Sequence, residues 1–153
     1  MINFKNFSIQ EGRPEHIKDL LQLIKELALY EKAPEQVTNT ESKINEDAFG
    51  QKPIFKFWMV YEGRKPVAMM VVYFRYSTWK GKTLYLEDLY IQEAYRQRGL
   101  GQILFEVLIS YAKKEQCQRI SWQVLDWNEP AIAFYKKIGA SLSNEWLNGF
   151  LEL

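Results

Sequence analysis

The segment from Thr83 to Leu125 constrains the fold more than any other part of the chain. It runs from an apolar stretch, TLYLEDLYI (83–91), through the turn RQRGLG (96–101) into a long amphipathic run, then into a second alternating stretch, Arg119–Leu125. Leu100, Ile103, Leu104, Val107, Leu108 and Tyr111 recur at helical spacing, and Lys113 and Lys114 complement the negative end of a helix dipole. Gly99–Lys114 therefore reads as a helix between two strands. Strand, helix, strand implies a right-handed crossover, with the two strands parallel in one sheet.

The preceding half supplies antiparallel pieces. Asn6–Gln10 reads as a short opening strand. From Glu15 to Glu31, Ile17, Leu20, Leu21, Ile24, Leu27 and Ala28 share one helical face, and Pro34 stops that helix. A second helix starts at Thr40 as N-cap and ends at Phe49–Gly50. Ile54–Tyr61 and Val67–Tyr76 flank the turn EGRKP and read as a hairpin. The unbroken VAMMVVYF suggests an inner strand covered on both faces. Asn128–Ile138 forms a last helix closed by Gly139, and the tail from Ser141 is expected to add one or two strands. The expected fold class is α/β (α+β): a mixed, mostly antiparallel sheet with helices on both faces, in a single domain over 1–153.

Composition narrows the function classes. A formal net charge of +1 gives no bulk attraction to polyanions, so nucleic acid is not an expected partner. One cysteine, Cys117, excludes an internal disulfide framework and fits a reducing, cytoplasmic setting. With His16 it also leaves too few soft ligands for a zinc site, so no metal is expected, and both read as structural. MINFKNFSIQEG lacks the pattern of a signal peptide, and no apolar run approaches the roughly 20 residues of a membrane span.

The turn Arg96–Gly101 carries the first chemistry. It lies between a strand and a helix N-terminus, where unpaired backbone N–H groups and the positive dipole end suit a phosphate or pyrophosphate. Gly99 and Gly101 let the backbone approach a ligand without a Cβ in the way. A glycine turn with two solvated arginines is the plain alternative. No Gly-Lys-Ser/Thr follows, and position 104 is Leu, so neither a Walker loop nor a dinucleotide fingerprint is present.

Arg-x-x-Gly-x-Gly at the mouth of a helix, after a strand reading YLEDLYI, resembles the acyl-CoA signature of the GNAT superfamily of N-acetyltransferases. LIKELALYEKAPEQV (23–37), DAFG (47–50), KTLYLEDLYI (82–91) and WNEPAIAFYKKIGA (127–140) are similar to its spermidine/spermine and thialysine acetyltransferase branch. The resemblance implies a sheet whose central parallel strands splay apart, often at a bulge, to admit acetyl-CoA. It implies pantetheine contacts from the backbone of Leu89, Tyr90 and Ile91. The pyrophosphate would lie on Gln97, Arg98, Gly99, Leu100, Gly101 and Gln102, and Arg96, which heads the signature, is expected to bind the cofactor as well. Asn128, Glu129, Pro130 and Ala131 would meet the cofactor from the other side. Lys136 and Lys137 could reach the 3′-phosphate of CoA, or simply be solvated.

For the acceptor, the resemblance points to Tyr30, Glu31, Ser121, Trp122 and Gln123, with Glu87 and Asp88; Asp126 adds acidity nearby. An amine has a pKa near 10 and needs a base, whereas the departing thiolate benefits from an acid. Glu87 is expected to be desolvated among Tyr85, Leu89 and Ile91 and to act as a base, through water in relatives. Tyr135 lies on an apolar stripe with Ala131, Phe134 and Ile138, which by itself favours a core residue. The resemblance gives it the role of general acid. A homodimer acting on a small-molecule amine is implied; a non-catalytic CoA-binding module and a protein-amine acetyltransferase are the alternatives.

Overall fold

In the computed structural model, which describes residues 1–152, a six-stranded sheet organises the first of two units, Met1–Trp122. Its strands are β1 (Ile2–Phe4), β2 (Phe7–Glu11), β3 (Lys56–Glu62), β4 (Lys65–Ser77), β5 (Gly81–Ile91) and β6 (Arg119–Ser121). They lie side by side in chain order. Every neighbouring pair is antiparallel except β5 and β6, which are parallel, as the crossover requires. The helices of this unit are α1 (Ile17–Tyr30), α2 (Glu41–Phe49) and α3 (Leu100–Lys114).

Local chemistry explains the boundaries. Thr40 caps α2, its hydroxyl accepting from the Lys43 N–H at 3.3 Å. α1 ends at Tyr30, before Pro34, which opens a short 3-10 turn instead. Buried His16 is structural: its Nδ1 accepts the Arg13 N–H at 3.2 Å, just before α1.

The continuous apolar runs in β3 and β4 are covered on both faces. Phe57 to Tyr61 and Val67 to Val72 are all buried. Phe57, Met59, Tyr61, Met69 and Val71 pack with Leu20 and Leu23 of α1 and Ile44 of α2. On the alternate face Trp58 meets Tyr111 of α3 edge-on, with ring centroids 5.1 Å apart. Fully burying a residue such as Leu20 or Leu104 contributes about 1.5–3 kcal/mol, so these two layers fix the sheet firmly.

The second unit begins at Gln123 and contains α4 (Glu129–Lys137). Asn128 caps it by accepting from the Ala131 N–H at 3.4 Å, and Gly139 follows with φ of +84°.

Two expectations are corrected, and one strand lies outside them. β1 was not anticipated, being three residues long and turned back by Lys5 at φ +54°. The strand expected over Arg119–Leu125 stops at Ser121, opposite Tyr85 of β5. Residues 141–152 hold no strand. Alternation marks which face a segment could bury, but a strand exists only where a partner supplies the ladder. The apolar Trp146, Leu147, Phe150 and Leu151 of the tail are accordingly exposed.

Candidate active site

The feature that creates a site is a length mismatch. β5 pairs with β6 only at Thr83, Leu84 and Tyr85, then continues to Ile91 beside β4 alone. From Leu86 onward its β6-side edge offers backbone donors and acceptors to something other than a strand. Leu89 and Ile91 are half-buried on this stretch and Tyr90 is buried.

A bulge falls within it. Val71 faces Asp88 while the next residue, Val72, faces Leu86, so Glu87 is the extra residue of β5. Bulges re-aim side chains, and this one separates two adjacent acids. Asp88 shares the α1-side face with Val71, while Glu87 is exposed. The charge of Glu87 still reaches Tyr73 and Tyr85, whose hydroxyls are raised first by burial and then by this carboxylate. Those rings lie 5.1 Å apart, and Arg75 sits 4.8 Å from the Tyr85 ring centroid.

The expectation of a desolvated Glu87 is therefore corrected: the bulge turns it outward, and the more enclosed acid is Asp88. Burial pushes the Asp88 carboxyl from 3.8 to about 7, with Glu87 and Glu31 adding repulsion. Glu31, the residue just after α1, is largely exposed, yet partial desolvation raises it too. The fold thus brings acids from β5 and the end of α1 into mutual range.

The anion-binding candidates sit beyond the end of β5. Gly99 stands at the α3 N-cap with φ of +90°, and Gln97 also has positive φ, +60°. Left-handed residues of this kind turn successive N–H groups into a concave anion nest. No side chain caps α3, so its first-turn donors at Leu100, Gly101 and Gln102 stay available to a ligand. A Cβ on Gly99 would approach the Phe4 ring to 3.2 Å, a second reason for glycine. Arg98 is exposed and stacks on Tyr95, whereas half-buried Arg96 turns to Tyr30 and the Ile91 carbonyl.

The remaining candidates are placed as follows. Ser121 ends β6, and half-buried Trp122 packs edge-on against Phe105 of α3 at 5.6 Å. In the second unit, Gln123 donates to the side chain of Asn148, Asn128 caps α4, and Glu129, Pro130 and Ala131 form its first turn. Tyr135 is the buried residue of α4, and Asp126, Lys136 and Lys137 are exposed. Sequence reasoning missed Glu26 and Gln92, which hydrogen-bond across 66 residues of chain. Neither belongs to a motif, so no local signal marked them.

A cavity of about 280 Å³ lies among Phe49, Phe57, Tyr73, Leu84 and Tyr111, and none of Glu31, Glu87, Asp88 or the cofactor-side candidates lines it. Among the described residues no group of His, Cys, Asp and Glu is arranged to hold a metal ion.

Comparison with known proteins gives the family. The model of the Acetyltransferase (GNAT) family matches residues 18–140. A thialysine N-epsilon-acetyltransferase of Caenorhabditis elegans is 39% identical over 134 residues, 88% of this chain and 82% of that protein. The Mus musculus enzyme of the same name is 34% identical, covering 92% and 89%. A human spermidine/spermine N(1)-acetyltransferase-like protein 1 is 33% identical over 91% of this chain but only 21% of its own length. Among solved structures, an integron cassette protein from the mobile metagenome of V. cholerae superposes with a TM-score of 0.77 at 25% identity, covering 97% and 94%. A soil-metagenome aminoglycoside acetyltransferase solved with sisomicin shares the fold at 12% identity, with a TM-score of 0.78 over 96% of either chain. The family match over residues 18–140 and these relatives show that the chain belongs to the GNAT family of acetyltransferases. Enzymes of this family use acetyl-CoA as donor.

Proposed function

We propose that this enzyme transfers the acetyl group of acetyl-CoA to a primary amine of a small molecule, a polyamine or diamine or a lysine-like amino acid. The observation that carries the acceptor class is half-buried Asp88 on the bulged strand, with Glu87 and Glu31 in range of it, whose repulsion of its charge a cationic amine would relieve. The names of the thialysine and spermidine/spermine relatives support the same class.

The roles follow from the chemistry of each position. Backbone groups of Leu89, Tyr90 and Ile91 hold the pantetheine and polarise the thioester carbonyl, stabilising the developing oxyanion. The nest at Gln97 and Gly99 and the N–H groups of Leu100, Gly101 and Gln102 hold the pyrophosphate, with Arg98 at its exposed rim. Asn128, Glu129, Pro130 and Ala131 complete the cofactor contacts. Tyr30, Glu31, Asp88, Ser121, Trp122 and Gln123 orient the amine. Glu87, open to solvent, removes the ammonium proton through water, which fits its outward position better than direct abstraction. Tyr135 protonates the departing thiolate, its ring buried and its hydroxyl the acid. The two units are parts of one catalytic domain acting in the cytoplasm, and the enzyme works as a homodimer.

The test is release of CoA thiol from acetyl-CoA with spermidine, spermine, thialysine, lysine or a basic peptide, against a no-acceptor blank. Release with the small amines above the peptide is expected. Release with the peptide alone would replace the small-amine reading by protein acetylation, and no release with bound acetyl-CoA would favour a non-catalytic module.

A further inference from the structure

Arg96 heads the glycine signature, but its side chain leads away from the loop. Its guanidinium carbon lies 4.6 Å from the ring centroid of Tyr30, the last residue of α1. Its Nε–H donates to the carbonyl of Ile91, the last residue of β5, at 3.0 Å. A planar guanidinium suits this double use, stacking with its face while donating from its edge. The C-terminal end of α1 also favours a cation through its dipole.

A second tie holds α1 one turn earlier, to the residue just after β5. Gln92 Nε2 donates to both carboxylate oxygens of Glu26, at 3.2 and 2.9 Å. Tyr90 stands by Glu26 as well, its hydroxyl raised by burial and then by that charge. Glu26 fixes the body of α1 to β5, while Arg96 fixes its tip, where Tyr30 is followed by Glu31.

We propose that Arg96 is a positioning residue that holds the amine-side tip of α1 against the thioester-side end of β5, and that its guanidinium is not spent on the pyrophosphate. The inference rests on the acyl-transfer reading above. Tyr30 and Glu31 orient the acceptor, and Ile91 ends the strand that presents the thioester. A slip of ~1 Å between such groups can cost about 100-fold in rate.

The experiment compares Arg96→Ala, Arg96→Lys, Tyr30→Leu and the Arg96→Ala/Tyr30→Leu double variant with two donors. One is acetyl-CoA; the other is S-acetylpantetheine, which lacks the pyrophosphate. The inference expects Arg96→Ala to lower kcat/KM about tenfold with both donors and to raise the acceptor KM. Arg96→Lys keeps the charge but loses the planar stack and the Nε donor, so it should resemble Arg96→Ala. Tyr30→Leu should cost several-fold less in the Arg96→Ala background than in the wild type, because part of its effect runs through their shared contact. A deficit seen with acetyl-CoA, absent with S-acetylpantetheine and repaired by lysine would make Arg96 a pyrophosphate ligand and overturn the inference.

A wild-type enzyme that acetylates none of the tested amines would defeat the acyl-transfer reading instead. Titration with adenosine 5′-diphosphate, a pyrophosphate without pantetheine, then decides the question separately. Equal affinity in wild type and Arg96→Ala supports the positioning role, and a loss above about tenfold overturns it.

Discussion

Helices α3 and α4 look alike on paper: each has an apolar stripe, an abrupt start and two lysines in its last turn. They use these features differently. α3 buries Leu100, Leu104, Phe105, Val107, Leu108 and Ala112, while Tyr135 is the buried residue of α4. Asn128 caps the first turn of α4, whereas no side chain caps α3. The stripe of α3 therefore serves stability, and its uncapped N-terminus is where the proposed pyrophosphate site lies. α4 buries a tyrosine, the side chain proposed as general acid. A stripe alone cannot distinguish these uses; what is buried and what caps the end can.

The sharpest test of that contrast is Tyr135→Phe, which keeps the ring and deletes the hydroxyl. As general acid, Tyr135 should account for about 100-fold or more of kcat, within the usual range for proton transfer by a placed side chain. Acetyl-CoA affinity and the melting temperature should barely change. A variant with normal turnover would make Tyr135 an ordinary packing residue, and α4 would then resemble α3.

The mirror experiment is Leu104→Ala in α3. Leu104 is fully buried, so the substitution should cost about 3 kcal/mol through lost transfer energy and a residual cavity. Denaturant unfolding would measure this, while kcat per folded molecule should hold. A large loss of kcat at unchanged stability would reverse the division of labour between the two helices.

Much of the fold was legible because it depends on local signals. The stripe of α3, the Thr40 cap and the unbroken β4 run each announce their element, and the crossover rule supplied the parallel pair. The tail forms no strand, since Trp146 and Phe150 show apolar patterning but have no pairing partner. The site divides similarly. Gly99 and its turn could be found by motif, because the required backbone geometry demands glycine. Which of two adjacent acids is enclosed could not, because the answer lies in a bulge between β4 and β5 rather than in either strand. Nor could the partner of Arg96, 66 positions away at Tyr30.

That bulge gives a pH signature. The Asp88 carboxyl is raised from 3.8 to about 7, so the folded chain holds this proton more tightly than the unfolded chain does. Its contribution to stability is present below pH ~4 and is lost as pH rises through about 7. Asp88→Asn should flatten this slope, read as the difference in unfolding midpoint between pH 5 and pH 8. It should also raise the acceptor KM about tenfold above pH 7, where ionised Asp88 would otherwise attract the ammonium. In the wild type, acceptor KM should fall from pH 6 to pH 8. An unchanged pH slope in the variant would remove Asp88 as its source.

The smallest effect is expected at Glu31, and its size is informative because it joins the same acid group from an exposed position. Solvent screens its attraction for an amine, and exposed ion pairs contribute about 0.2–1 kcal/mol. Glu31→Gln should therefore raise the acceptor KM less than about fivefold, and 0.5 M salt should mimic much of the change. The same salt should affect the enclosed Asp88 contribution less, because buried charges are screened less. A Glu31→Gln penalty equal to that of Asp88→Asn and insensitive to salt would mean that both acids close over the amine together. The distinction between an enclosed acid on the bulged strand and an open one at the tip of α1 would then vanish once substrate is bound.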